Sequence, residues 1–552
     1  MKEYKENFWA LCKNRVYLLL LILTAAFSYG FMVIHHTVGI DDTPYAYYFQ
    51  EGLVAIVGRW VLYLLNQVFS IGEFAPMMTD LAGVLIMMAA VTVWAALFRA
   101  VLKEKVPEWG YLFFAAVFLS CPLISEVYTY YLHNGISIGY LCAGISLCFL
   151  RQWWGNRRKL RWFAGAACFL WIAIGCYESF MVVWLLGVCL LLLSECYCGV
   201  RPRVILSLCM SAGAALCALI LRSLMTAAVT GIFGLGYLKE EAVHRSVTEM
   251  ASWMLAPGAG AEFTMLLKRV YVMYGVFAFA YFPIKVFVLA SAFLVGYGIY
   301  GSIRKRNPWI LALTLGSFVV SFLLVVVEGK ATLYRAAQFL PVVCGYGALL
   351  LCFGLQEVKG SRLLCGRGIV GKLCSGAVLA LLCVILWNQC ADMNRWFYVD
   401  YMKYEAAKET VDRVACELER SFAPADKPVV FTGEYRIPRD LVQAAFVPYD
   451  SETFYRMKRW TDPIDGHLLE KFYRDYGVWV AQTPALSVIE WGRYAFDTDE
   501  ELARFFHMHG HELQPCLQPE KYGEAETASL ELPRFPREGS IVDMGDYIIV
   551  HF

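Results

Sequence analysis

Asp41 and Asp42 stand side by side in the stretch IDDTPYAYYFQEGLVAIVGRW, directly after the first long apolar run of the chain. A carboxylate within hydrogen-bond reach of an alcohol can take its proton as that oxygen forms a new bond, the work of a general base. The same pair could instead hold a divalent cation, Mg or Mn, as a Lewis acid beside a phosphate, because hard cations take oxygen ligands. A third use is structural: Thr43 caps a helix, Pro44 stands in its first turn, and acids favour its positive end. That accounts for one acid more readily than for two. Beyond the pair, Tyr45, Tyr48, Phe49, Leu53 and Ile56 have the spacing of the apolar face of an interfacial helix.

Three further stretches gather polar groups. CYESF brings Tyr177 and Glu178 into a turn with almost no loop. SEVYTYYLHNG carries Glu126, Tyr128, Tyr130, Tyr131, His133 and Asn134. Tyrosines are enriched at membrane interfaces as anchors, so a belt is expected of these three, while His133 is a candidate for binding an acceptor or serves as an ordinary polar loop residue. EGKATLYRAAQFLP carries Glu328, Lys330 and Arg335. Lys330 and Arg335, with Arg59 in GRW and with Arg222, are cations where positive charge is otherwise scarce. A guanidinium presents a planar fork of donors that suits phosphate. An ion pair with Asp41, Asp42 or Glu178 is the plainer use of the same charge.

Composition identifies the scaffold that must carry these groups. Hydrophobic residues make up 59% and charged residues 17%, against about 25% charged in an ordinary soluble domain. The chain is of the membrane class. Its 48 basic and 47 acidic residues nearly cancel, which leaves no basic excess for nucleic acid, and none is expected as a partner. Most of the 19 cysteines fall in apolar runs, where they act as small hydrophobes. Only Cys416 and Cys516 lie in the polar C-terminal part, where one bridge is an open option.

Eleven apolar stretches approach the roughly 20 residues needed to cross a bilayer, near 16–34, 76–98, 110–124, 136–151, 162–176, 179–195, 204–226, 281–302, 309–327, 337–354 and 373–390. The first has a basic start but no convincing small-residue cleavage site, so it is expected to stay as a helix and not to be removed as a signal peptide. Lys and Arg in short loops mark the cytoplasmic side. They cluster after every second helix: Arg99, Lys103 and Lys105; Arg151, Arg157, Arg158, Lys159 and Arg161; Arg201 and Arg203; Arg304, Lys305 and Arg306; Lys359, Arg362, Arg367 and Lys372. Segments 35–58, 125–135 and 177–179 have neither Lys nor Arg. This pattern puts the N-terminus in the cytoplasm and the C-terminal region outside it.

From about 391 the composition turns polar. DYMKYEAAKETVDRVACELERSF has the period of an amphipathic helix, KPVVFTG reads as a buried strand closed by glycine, and SIVDMGDYIIVHF as two strand-like runs. Two domains are expected, a multi-spanning one over 1–390 and an extracytoplasmic α/β one over 391–552. Segment 231–280 alternates amphipathic and Gly/Pro-rich stretches, and either lines a groove for a lipid or caps the bundle. The sequence contains no Walker-type loop, dinucleotide-binding glycine fingerprint or paired Cys/His metal spacing.

IDDTPYAYYFQEGLVAIVGRW, then CYESF at a helix start, then YRAAQFLP near the end of the apolar part, resembles the Gtr-type membrane glucosyltransferases (glucosyltransferase II-like) that decorate bacterial O-antigens. The resemblance covers most of the membrane region and fades after about 400. It implies a polytopic α-helical, GT-C-like protein of the bacterial cytoplasmic membrane, surrounded by membrane lipid. Its activity would be transfer of a hexose, glucose first, from a polyprenyl-phosphate carrier to a cell-surface glycan on the outer side. The resemblance makes Asp41 or Asp42 the catalytic carboxylate and Arg335 a contact to the carrier phosphate. The other candidates around the substrates are Arg59, His133, Tyr177, Glu178, Arg222 and Lys330. The C-terminal domain would help hold the acceptor, and a polyprenyl-phosphate glycosyltransferase and a flippase would belong to the same pathway. A single-displacement, inverting reaction is the default, since only one acid site is evident. The chief rival is a flippase or transporter of lipid-linked glycans. Transporters tend to carry internal repeats and helices broken at the midplane, and no repeat is visible in this sequence.

Overall fold

The computed structural model describes residues 1–37, 52–69, 76–123, 128, 134–156, 159–200, 202–239, 252–271, 274, 282–329, 336–360, 369–422, 426–435, 491–492 and 499–552. Its N-terminal part is helical. Helix α1 (Lys2–Lys13) and helix α2 (Arg15–Ile34) are separated by Asn14, whose side chain accepts from Val16 N and Tyr17 N and so starts the second helix. Two short helices follow, α3 (Gly52–Ile56) and α4 (Trp60–Phe69). The bundle continues with α5 (Pro76–Leu102), α6 (Glu108–Leu119), α7 (Asn134–Gly155), α8 (Leu160–Cys176), α9 (Phe180–Tyr197) and α10 (Val204–Ile232). After α11 (Ala259–Tyr271) come α12 (Phe282–Lys305), α13 (Pro308–Ser321), α14 (Leu323–Glu328), α15 (Leu340–Gly360) and α16 (Ile369–Ser421).

Eight of the described helices are long and apolar enough to cross a membrane. Each of the eleven stretches expected from the sequence coincides with a helix. The remaining three, α6, α8 and α13, are apolar but shorter than 18 residues. Stretch 309–327 is not one helix: α13 ends at Ser321, and α14 restarts at Leu323. Thr314, Ser317 and Ser321 each turn their hydroxyl back onto the carbonyl four residues earlier, a pattern that competes with the helical ladder and bends it. Tyr128 is also not the interfacial anchor expected. It is 1% exposed and meets the Tyr29 ring edge-on at 4.9 Å.

Described members of the basic clusters gather at one end of the bundle. Lys105 donates to the Cys198 carbonyl at 2.9 Å, and Lys305 donates to that of Tyr197, so two lysines cap the C-terminus of α9. Arg151 bridges Glu195 and the hydroxyl of Tyr4 on α1, and Arg304 reaches Glu357. Because α8 leaves this end at Lys159 and α9 returns to it at Tyr197, the Tyr177–Ser179 turn lies at the opposite end. The same reasoning puts Thr37, Asp80 and Gln338 there.

Helix α16 runs unbroken past residue 391, so the expected boundary falls inside a helix. Its last turns pack beneath a sheet ordered β4-β1-β6-β5, formed by β1 (Pro428–Thr432), β4 (Gln514–Pro515), β5 (Ile541–Asp543) and β6 (Ile548–His551). Strand β1 is parallel to β4 and β6, and β5 is antiparallel to β6. A separate pair joins β2 (Glu434–Tyr435) to β3 (Trp491–Gly492). Alternation along the strands sorts the core. Val429, Phe431, Ile548 and Val550 face α16 and α17 (Asp499–Met508). Val430 and Ile549 face Ala525 on α18 (Pro519–Ser529). Cys516 belongs to the second layer and Cys416 to the exposed side of α16; both thiols are free, with the sheet between them.

Candidate active site

The GRW motif has a local reason for each residue. Gly58 has φ +88° and links α3 to α4, a left-handed conformation that suits glycine. A Cβ there would lie 2.4 Å from Nη2 of Arg222. Arg222, on α10, uses the vacant space to donate to the Val57 carbonyl at 3.0 Å. Trp60 packs on Trp171 at 4.7 Å between centroids and fills the space above Gly175, where a Cβ would come within 2.4 Å of its ring nitrogen. Ile56, Trp60, Cys176 and Val229 form one small buried cluster. Ile56 is therefore an inward core residue, not part of an interfacial face, and α3 ends with it. Residues 38–51, including Tyr45, Tyr48 and Phe49, lie outside the described residues.

This packing aims Arg59 across the bundle at the CYESF turn. Its guanidinium meets Glu178 through both oxygens, Nη2 to Oε1 at 3.0 Å and Nε to Oε2 at 3.3 Å, and lies 4.0 Å above the Tyr177 ring. Among the described residues, Arg59 pairs with Glu178, one of the partners left open for it. Glu178 stays partly open, with 41% of its side-chain surface exposed. Burial pushes its carboxyl upward, but the charge and hydrogen bonds of Arg59, together with Arg222, outweigh that and hold it below the usual carboxylate range. Arg222 adds a second cation whose Nε is buried with no hydrogen-bond partner among the described residues. Among the described residues, two guanidiniums thus stand beside this one carboxylate.

The next residue joins the third motif. The Ser179 hydroxyl donates to Oε1 of Gln338 in YRAAQFLP, and the Gln338 main-chain carbonyl accepts from the Tyr140 hydroxyl at 2.5 Å. Ser179, Val182, Ser321, Val325, Ala336 and Gln338 line a small cavity at this junction. Three motifs far apart in sequence thus converge on Glu178 and Ser179. From the described part of segment 231–280, Trp253 Nε1 donates to the Val326 carbonyl at 3.2 Å, and Arg269 donates to that of Gly329 at 3.3 Å.

Of the candidate site residues, Arg59, Tyr177, Glu178 and Arg222 are brought together. Asp41, Asp42, His133, Lys330 and Arg335 lie outside the described residues. Among the described residues, no group of three or more His, Cys, Asp or Glu side chains is arranged to hold a metal ion. The candidate list lacked Ser179 and Gln338, and it lacked two buried acids at the same end, Asp80 and Asp400, each 1% exposed. Asp80 carried a signal: a carboxylate inside PMMTDLAGVLIMM is costly unless it has a partner or a task.

Two expected results follow from this geometry. Gly58→Ala combines a disfavoured φ with overlap on a guanidinium, and should cost about 2–4 kcal/mol of stability, read as a lower thermal midpoint in detergent. The pH effect has a definite sign. Since the Glu178 pKa is lowered by folding, the pair's contribution is fully present above the unfolded value of about 4.3 and lost as pH falls through the folded value. Thermal midpoints of the parent and Glu178→Gln should therefore run parallel from about pH 5 to 8 and converge in acid.

The sequence model of one family, described as Glucosyl transferase GtrII, matches residues 30–352. That interval holds the whole Arg59–Glu178–Gln338 junction. No curated protein and no solved structure matches the chain.

Proposed function

The chain belongs to the GtrII glucosyl transferase family, and from that premise we propose that it moves glucose from a polyprenyl-phosphate carrier to a cell-surface glycan at the outer face of the bacterial cytoplasmic membrane. The observation that carries this reading is the convergence of GRW, CYESF and YRAAQFLP at one end of the bundle, opposite the basic end. If the basic end faces the cytoplasm, the junction opens outside, where lipid-linked sugars and surface glycans meet.

In this reading the donor side needs positive charge more than a general acid, because polyprenyl phosphate leaves readily once its charge is matched. The Arg59 and Arg222 guanidiniums, both acting on Glu178, support that role, and Arg335 and Lys330 are proposed to extend it. Glu178 presents Arg59 as a fixed fork, and Tyr177 supports the guanidinium from below. The acceptor hydroxyl is a poor nucleophile. Asp42 or Asp41 takes its proton as the acceptor oxygen attacks the anomeric carbon and the bond to phosphate breaks. His133 and the C-terminal α/β region are proposed to contact the acceptor. Mg or Mn held by the acid pair is the alternative use of these carboxylates, and no step here depends on it.

The test is purified full-length protein incubated with synthetic polyprenyl-phosphate glucose and an acceptor glycan. Glucosylated glycan with inverted anomeric configuration by NMR is expected. Retention would remove the single-displacement mechanism. Movement of the lipid-linked sugar between leaflets without any transfer would favour the flippase.

A further inference from the structure

The last two residues described before the segment that bears Asp41 and Asp42 are each held by a buried carboxylate from a different helix. The Thr37 hydroxyl donates to Asp400 Oδ2 on α16 at 2.6 Å, with Thr37 6% and Asp400 1% exposed. His36 Nδ1 lies 3.2 Å from Asp80 Oδ2 on α5, and a carboxylate there accepts the ring proton. Bonds of this kind, with one partner ionised, are shorter and stronger than neutral ones. Aromatic packing sets the register that lets them form. Phe31 stacks on His35 at 4.2 Å, and Tyr398 and Tyr401 of α16 meet Phe31 edge-on. Two carboxylates buried at the end of an apolar bundle are expensive. Both meet consecutive residues of one stem.

We propose that Thr37 is a positioning residue: through it and its neighbour His36, α16 and α5 set the direction in which the acid-bearing segment leaves the bundle. The role is distinct from proton transfer, and it rests on the reading of Asp41 or Asp42 as the base. It also ties the C-terminal region to the site, because the helix that carries Asp400 continues to Val411, Val414 and Leu418 under the sheet. Moving that helix moves the stem.

The experiment compares full-length Thr37→Val, which keeps the shape and removes the hydroxyl, with Thr37→Ser, which keeps the hydroxyl. Displacing a catalytic group by about 1 Å costs up to about a hundredfold in rate. Thr37→Val is therefore expected to lower kcat about tenfold or more with donor KM within about twofold. It should also speed hydrogen exchange in peptides covering 38–51 while exchange elsewhere is unchanged. Thr37→Ser should match the parent in both. Parent-like exchange and kcat in Thr37→Val overturn the proposal, and so does a uniform loss of kcat, KM and global protection. If Asp41→Asn and Asp42→Asn both transfer at the parent rate, the reading of the base fails, and exchange in 38–51 still decides whether Thr37 holds the stem.

Discussion

One of the two single variants Asp41→Asn and Asp42→Asn is expected to lose about 10²–10⁴-fold in kcat, the range a positioned general base contributes. Asparagine keeps the size of the side chain and can still accept a hydrogen bond, but it cannot take a proton from the acceptor alcohol. Donor KM should barely move if the guanidiniums, and not the acids, hold the lipid phosphate. The second variant separates the remaining uses of the pair. A modest loss there fits an acid that favours a helix start, worth about 0.3–1 kcal/mol. Collapse of both variants, with a parent rate that tracks added Mg or Mn, fits a shared cation instead. Parent-rate transfer by both would remove the base from the mechanism.

The second large effect is expected at Arg59, and its signature is a mismatch between activity and stability. The Arg59 and Glu178 side chains keep 27% and 41% of their surface, and ion pairs that open to water contribute about 0–1 kcal/mol. Arg59→Ala should therefore leave the thermal midpoint within a few degrees of the parent. If the guanidinium contacts the carrier phosphate, removing a charged hydrogen-bond partner should raise donor KM about tenfold to a hundredfold. Arg59→Lys should recover little, because an ammonium cannot span two Glu178 oxygens and a phosphate at once. Glu178→Gln frees the fork without removing it and should cost less, about tenfold at most. An Arg59→Ala protein with parent KM and a much lower midpoint would make the pair a structural bridge only.

Hydrophobic period and loop charge made the helical bundle legible in the sequence: each apolar stretch found there is helical, with 309–327 divided between two helices. Three C-terminal strands, β1, β5 and β6, were legible as apolar runs in KPVVFTG and SIVDMGDYIIVHF, whereas the sorting of Val429 from Val430 and of Ile548 from Ile549 comes from the strand period. Lengths were less legible. No local signal ends α16 near 391, because the polar turns that follow keep the same helical period. The pairing of Arg59 with Glu178 was visible only as one option among several, since it depends on how α4 and α8 are packed. Gln338 was hidden altogether. An amide in an apolar stretch gives no hint that it meets a serine 159 positions away. Residues that act by holding others, such as Thr37 and Asp400, carry meaning only once helices distant in sequence are side by side.

The most direct measurement of the account uses sealed membrane vesicles of known orientation, loaded with glucosylated polyprenyl phosphate, and an acceptor glycan that cannot cross the membrane. Right-side-out vesicles containing the parent protein should glucosylate the external acceptor and release polyprenyl phosphate in equal amount. Transfer by inverted vesicles alone, or transfer from a nucleotide sugar with no lipid carrier present, would contradict it.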